Sequence, residues 1–307
     1  MLTVPRAIAR RAIAALILGT SAASIPPPAR LMASVDGAGD TSKAPSQATL
    51  KPVAATSPDI PFSDVDAESE HQLLELANQA RLQAGLPTLT PDAGLTQAAR
   101  IHAEAMFTAR QLSHQFAGEP SLGERLAAAT RSQLDQEGEN VALDFDAADA
   151  QKNLMHSPPH RANLLNAAYN VVGFGVVRSG NRLYIVQDFG HALPSYSPAE
   201  AKNLIAAAIA RMRHESGQYD IAERDLSGLD AAACSMAQAD KLATPSIQQL
   251  AQRYSVLTYT TLNPETLPAN ADRALRIRNL RRFSVGACYA RTETYPTGGY
   301  WVVVALD

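Results

Sequence analysis

Apolar residues recur at helical spacing soon after residue 68. Leu73, Leu76, Ala77 and Ala80 share one face, and Gly85-Leu86-Pro87 ends the helix. Thr90-Pro91-Asp92 then supplies a turn and a cap. Leu95, Ala98, Ala99, His102 and Met106 continue at i, i+3, i+4 spacing, so a second helix turns one face to the core, with alanines that permit close packing. A loop around Gly118 to Gly123 precedes a short helical stretch, Glu124 to Ala129. Next come the polar segment Gly138-Glu139-Asn140-Val141-Ala142 and a helix near Ala147 to Met155, which Ser157-Pro158-Pro159 must stop. The runs Val171 to Val177 and Leu183 to Phe189, joined by Ser179-Gly180-Asn181, read as an antiparallel hairpin. Helices followed by a hairpin predict an α+β fold.

The remaining third follows a shortened copy of this plan. Ile205 to Gly217 echoes Leu73 to Gly85, and Leu229 to Ala233 echoes Leu95 to Ala99. Ser284 to Cys288 matches Val171 to Gly175, and Tyr300 to Leu306 matches Leu183 to Phe189 after a Gly298-Gly299 turn. Cys288 falls where Gly175 lies, and no counterpart of the first copy's polar segments is evident.

Ahead of the folded part, Arg6, Arg10 and Arg11 precede the apolar run Ala12 to Leu18 and the small residues Thr20 to Ser24, the layout of an export signal spanning residues 1–24. The run is too short to cross about 30 Å of hydrocarbon, and no later stretch does better, so a mature chain without a transmembrane segment is expected. Residues 25–66, rich in Pro, Ala, Ser and Thr, read as a disordered linker. Domains are expected at 67–195 and 196–307. A formal net charge of −3 without a dominant basic block argues against nucleic-acid partners, although Arg276, Arg278, Arg281 and Arg282 form a local cluster. Cys234 and Cys288 could pair in an oxidising compartment or remain buried thiols, and the sequence leaves both open.

Candidate chemistry centres on His114, Glu139 and His160, each at a loop or element boundary. Two imidazoles and a carboxylate could hold a divalent metal ion, or one His could act as a base oriented by Glu139. On spacing alone, capping and surface histidines explain these residues better.

The order Asn78, Arg81, Gly85-Leu86-Pro87, Leu95, Ala98-Ala99, His102-Ala103, Met106, Ser113-His114, Gly138-Glu139-Asn140, Ser157-Pro158-Pro159-His160-Arg161-Ala162-Asn163, Gly173-Phe174-Gly175 and Gln187-Asp188-Phe189 resembles the bacterial, SCP-like branch of the CAP superfamily: cysteine-rich secretory proteins, antigen-five proteins and pathogenesis-related proteins. The resemblance implies an α/β/α sandwich, followed here by a degenerate CAP-like α+β repeat. It also implies a cleft with two His and two Glu. His114 and His160 fall on the His positions and Glu139 on the first Glu, while Ser157 takes the place of the second. Zn²⁺ or another divalent ion is the implied cofactor, on a set reduced to His114, His160 and Glu139. Arg125 and Arg161 match arginines of the pattern and are expected to pair with carboxylates, Glu124 among them. Asn140 is expected to tie loop backbone, and His102 to be a hydrogen-bonded core histidine.

Three functions compete. The leading one is a non-enzymatic binding or interaction module of the cell envelope or extracellular space, whose cleft takes a lipid, glycan or protein ligand. No Ser or Cys nucleophile with an assignable base and oxyanion hole can be read from the chain. The alternatives are a metal-dependent hydrolase using His114, Glu139 and His160, with Ser157 as nucleophile in a variant of it, and a structural envelope scaffold.

Overall fold

The computed structural model describes residues 14–17 and 65–307, except 270 and 278. The export-signal and linker expectations otherwise lie outside the described residues.

Asp66 caps helix α1 (Ala67–Gln83) by accepting a hydrogen bond from the Ser69 amide, and Gly85, at φ +74°, turns the chain away from the helix end. Near the C-terminus of α1 the fully buried Arg81 donates to the carbonyls of Pro87, Leu164, Asn166 and Tyr169, which locks two loops onto the helix. After the two-residue strand β2 (Thr90–Pro91), Asp92 caps helix α2 (Ala93–Ala109). Then follow helix α3 (Leu122–Ala129), strand β3 (Leu134–Asp144), helices α4 (Ala147–His156) and α5 (Pro158–Leu164), and the hairpin β4 (Val171–Ser179) and β5 (Arg182–Ala192). Ser157 ends α4 and precedes α5, with Pro158 at the first helical position, where its missing N–H costs nothing.

These strands form a sheet in the order β2-β4-β5-β3, with β2 parallel to β4 and the other pairs antiparallel. One face packs Val172, Phe174, Ile185 and Phe189 against α1 and α4, and the other packs Val141, Val177 and Val186 against α2. The result is an α/β/α sandwich. Gly173 and Gly175 set its thickness: a Cβ at either would overlap the α2 backbone at Leu95-Thr96 or Ala99-Arg100.

The second half runs α6 (Pro198–Glu215), β6 (Ala222–Glu223), α7 (Leu229–Ala239), α8 (Pro245–Ala251), β7 (Ser255–Thr261), α9 (Ala271–Leu275), β8 (Arg282–Ala290) and β9 (Gly299–Leu306). Its strand order, β6-β8-β9-β7, reproduces that of the first sheet, down to a two-residue parallel pairing of β6 with β8. Gly286 presses on Leu229 of α7 as Gly173 presses on α2. Arg213, buried at the end of α6, donates to the carbonyls of Tyr219 and Leu275 as Arg81 does in the first half. Cys234 and Cys288 form a disulfide that ties α7 to β8. Ala14–Ile17 forms a strand, β1, paired antiparallel with β7.

Two strands depart from the sequence reading. The Gly138 to Ala142 segment, left unassigned above, is the middle of the long strand β3. The second half also carries β7, a Thr-rich strand that pairs with β9 in the place β3 fills in the first half.

Candidate functional site

The site lies along β3, the edge of the first sheet, where elements from both faces meet. Glu139 on β3 is its hub. One carboxylate oxygen accepts from His114 Nδ1 at 2.9 Å and the other from an Arg125 guanidinium nitrogen at 2.5 Å. Glu139 and Arg125 side chains are only 4% and 6% exposed, so this is a desolvated ion pair whose members depend on each other. Arg125, on α3, also donates to the carbonyls of His114 and Pro120 and lies 3.6 Å from Glu119. One guanidinium therefore fixes both the His114 loop and the carboxylate that orients the ring.

Behind this pair, His102 on α2 is fully buried. Its Nε2 donates to the Ser113 carbonyl at 2.8 Å and its Nδ1 meets Glu119 at 2.6 Å. His102 thereby anchors the residue immediately before His114. With Nδ1 donating to Glu139, Nε2 is the ring nitrogen left to meet a ligand, on a side chain that is 31% exposed.

The opposite wall comes from α5. Asn140 donates to the His160 carbonyl and to Gln187 Oε1, and Asn163 donates to the Glu139 carbonyl and to Asn140 Oδ1. Tyr169 donates to the Glu137 carbonyl, so side chains occupy carbonyls that an edge strand would otherwise offer to another chain. Burial, and then the nearby His114, lower the pKa of His160, so its ring is held neutral.

Asp188 on β5 is the residue that sequence reasoning missed. It is the cross-strand partner of Glu139 and fully buried, and burial together with the Glu139 carboxylate pushes its carboxyl well above the usual range. The available signal was a lone carboxylate inside an apolar strand pattern.

Residues 74–189 match the family model of the cysteine-rich secretory protein family, CAP. That segment is a CAP domain. A bacterial relative, an uncharacterized membrane protein of Bacillus subtilis, YlbC, is 33% identical over 141 residues, covering 46% of this chain and 39% of the relative. The chain therefore matches about two fifths of that relative's length. Among solved structures, an extracellular protein containing an SCP domain from Bacillus anthracis is 29% identical over 41% of each chain, with a TM-score of 0.36. An outer surface protein of Borrelia burgdorferi is 20% identical over 42% of this chain and 98% of its own, with a TM-score of 0.40.

Within the CAP domain, His114 and Glu139 meet directly and His160 joins them through Asn140. Both Glu139 oxygens are engaged by His114 and Arg125, and among the described residues no three His, Cys, Asp or Glu side chains gather as ligands. In this arrangement the Glu139 carboxylate orients one imidazole, and a divalent ion on the three donors remains a proposal. The expected arginine pairings change. Glu124 closes a capping box with Ser121, so Arg125 turns to Glu139 and Glu119 instead. Arg161 is exposed on α5 and pairs with no carboxylate among the described residues. Ser157 makes no side-chain capping bond at the head of α5.

Proposed function

We propose that the protein is an exported interaction module of the cell envelope or extracellular space, in which the CAP cleft at His114, Glu139 and His160 receives an envelope lipid, glycan or protein. The observation that carries this reading is the His114–Glu139–Arg125 chain. It costs the fold a buried ion pair, yet it fixes a partly exposed imidazole with its lone pair outward. An acceptor pre-set in this way suits a ligand hydroxyl or amide donor. No Ser or Cys nucleophile with an assignable base and oxyanion hole can be read from the sequence, which sets the hydrolase readings behind the binding one. The Cys234–Cys288 disulfide supports export, because disulfides persist in oxidising compartments. No helix among the described residues is long and apolar enough to cross a membrane.

The test is binding of signal-free protein to envelope lipid vesicles and wall glycan fragments, beside a His114→Ala/His160→Ala variant, with Zn²⁺ titration by calorimetry in parallel. Saturable binding lost in the variant is the expected outcome. Binding that survives the double substitution overturns the cleft reading. Saturable Zn²⁺ binding lost in the variant would return the hydrolase reading to first place.

A further inference from the structure

The second half lacks the cleft residues but grips the elements that carry them. Its β8–β9 connection, residues 291–298, reaches the segment 127–134 of the CAP domain. There Arg291 donates to the carbonyls of Ala127 and Thr130, each at 2.7 Å. These are the last carbonyls of α3, a helix capped at its N-terminus by its own Ser121–Glu124 box but without a basic residue in its last turn. Arg291 supplies from the second half the cation and the donors that this C-terminus lacks. Thr297 adds a two-way bond: its hydroxyl accepts from the Leu134 amide and donates to the Leu134 carbonyl at the start of β3. Thr130 itself bonds Asp92, the cap of α2. The gripped segment thus adjoins three of the elements that bear the site: α2 with His102, α3 with Arg125 and β3 with Glu139.

The connection is itself held rigidly. Asp240, beyond the end of α7, accepts from the Thr292 hydroxyl and the Thr294 amide. Tyr295 is buried edge-on against Trp301 and bonds Thr260. The Cys234–Cys288 disulfide fixes α7 to β8 just ahead of the connection. A path of direct bonds therefore runs from the disulfide-braced α7 through Asp240 and the connection to α3, then through Arg125 to Glu139 and His114.

We propose that the C-terminal half acts as a brace for the CAP cleft, with Arg291 as the positioning residue that seats α3 and so holds Glu139 and His114 in register. The proposal rests on the cleft being the working surface. Its test reads the geometry of His114 directly and needs no ligand, so it can fail while the binding reading stands, and the reverse.

The experiment uses the full mature chain and its Arg291→Ala, Arg291→Lys and Thr297→Val variants. Lys202→Ala, which breaks an exposed ion pair elsewhere in the second half, is the control. Amide hydrogen exchange is followed over α3, and the nitrogen resonances of the His114 ring report its tautomer. In Arg291→Ala, exchange of the last α3 amides rises about tenfold and the His114 ring loses its single Nδ1–H form. Arg291→Lys restores the tautomer, since an ammonium still donates to a helix C-terminus. Lys202→Ala leaves both unchanged. If Arg291→Ala keeps α3 protection within about twofold and keeps the His114 tautomer, the brace is overturned. Should Arg291→Ala fail to fold, Thr297→Val is read against the same two criteria.

Discussion

The two halves place opposite chemistry at matching points of one scaffold. Counting along the registers from Gly173 and Gly286, Glu139 corresponds to Thr258 and Asp188 to Val303. Seven residues after the leucines that these glycines touch, His102 corresponds to Met236. Where the first half buries a carboxyl pair and an imidazole, the second buries threonine, valine and methionine. The buried arginine at the end of the first helix, the parallel two-residue strand and the glycine under the second helix persist in both. Layering and helix seating are therefore requirements of the fold, whereas the polar cluster is an addition that one half carries and the other does without. One further exchange separates them: Gly175, where α2 touches the sheet backbone, becomes Cys288, where a covalent bond replaces close approach.

This contrast can be broken most sharply at the paired positions. Glu139→Ala leaves the Arg125 guanidinium buried without its partner and is expected to cost about 4 kcal/mol in urea unfolding. Thr258→Val at the matching point should cost about 1 kcal/mol. Equal losses would mean that the two positions carry comparable structural weight. Gly175→Ala drives a methyl into the α2 backbone and should cost about 3 kcal/mol, while Cys288→Ala in the Cys234→Ala background, already lacking the disulfide, should cost under about 1.5 kcal/mol by the same assay. Asp188→Asn bears on the price of the polar cluster. The folded Asp188 carboxyl titrates above its unfolded value, so the native state holds the extra proton and stability falls as pH rises from the unfolded value through the folded one. The substitution should therefore raise the melting temperature more at pH 7 than at pH 4, and Val303 offers no such lever.

The smallest expected effect concerns His160. Its folded pKa lies below the unfolded one, so the unfolded chain takes up the proton first and stability drops as pH falls through the window just under the unfolded value. His160→Gln should flatten that slope in acid denaturation, and an unchanged slope would assign it to another group.

Much of this architecture was legible because α1, α2, α6, α7 and the two hairpins carry strong apolar periodicity. Strands β3 and β7 were harder to read, and for a physical reason. β3 has the site built into its middle, so Gly138-Glu139-Asn140 interrupts the alternation that marks a strand, and only cross-strand bonds to β5 reveal it. β7 has the β-branched composition of a strand, but with no polar landmark it had no counterpart to be matched against. The site was visible as His114, Glu139 and His160, whereas its wiring was not. Pairing Arg125 with Glu139 rather than Glu124 depends on the chain folding back across a separation of fourteen positions. In the structure Glu124 is engaged by the capping box it closes with Ser121.

The buried arginines at the ends of α1 and α6 set an order of assembly. Arg81 is satisfied by carbonyls 83 to 88 residues further on, and Arg213 by one 62 residues away. A guanidinium cannot enter the interior before its acceptors arrive, so the first helix of each half docks only after the chain has emerged through Tyr169 or Leu275. A chain delivered from its N-terminus keeps these helices loose until late, and each half closes only when its own far loop is complete.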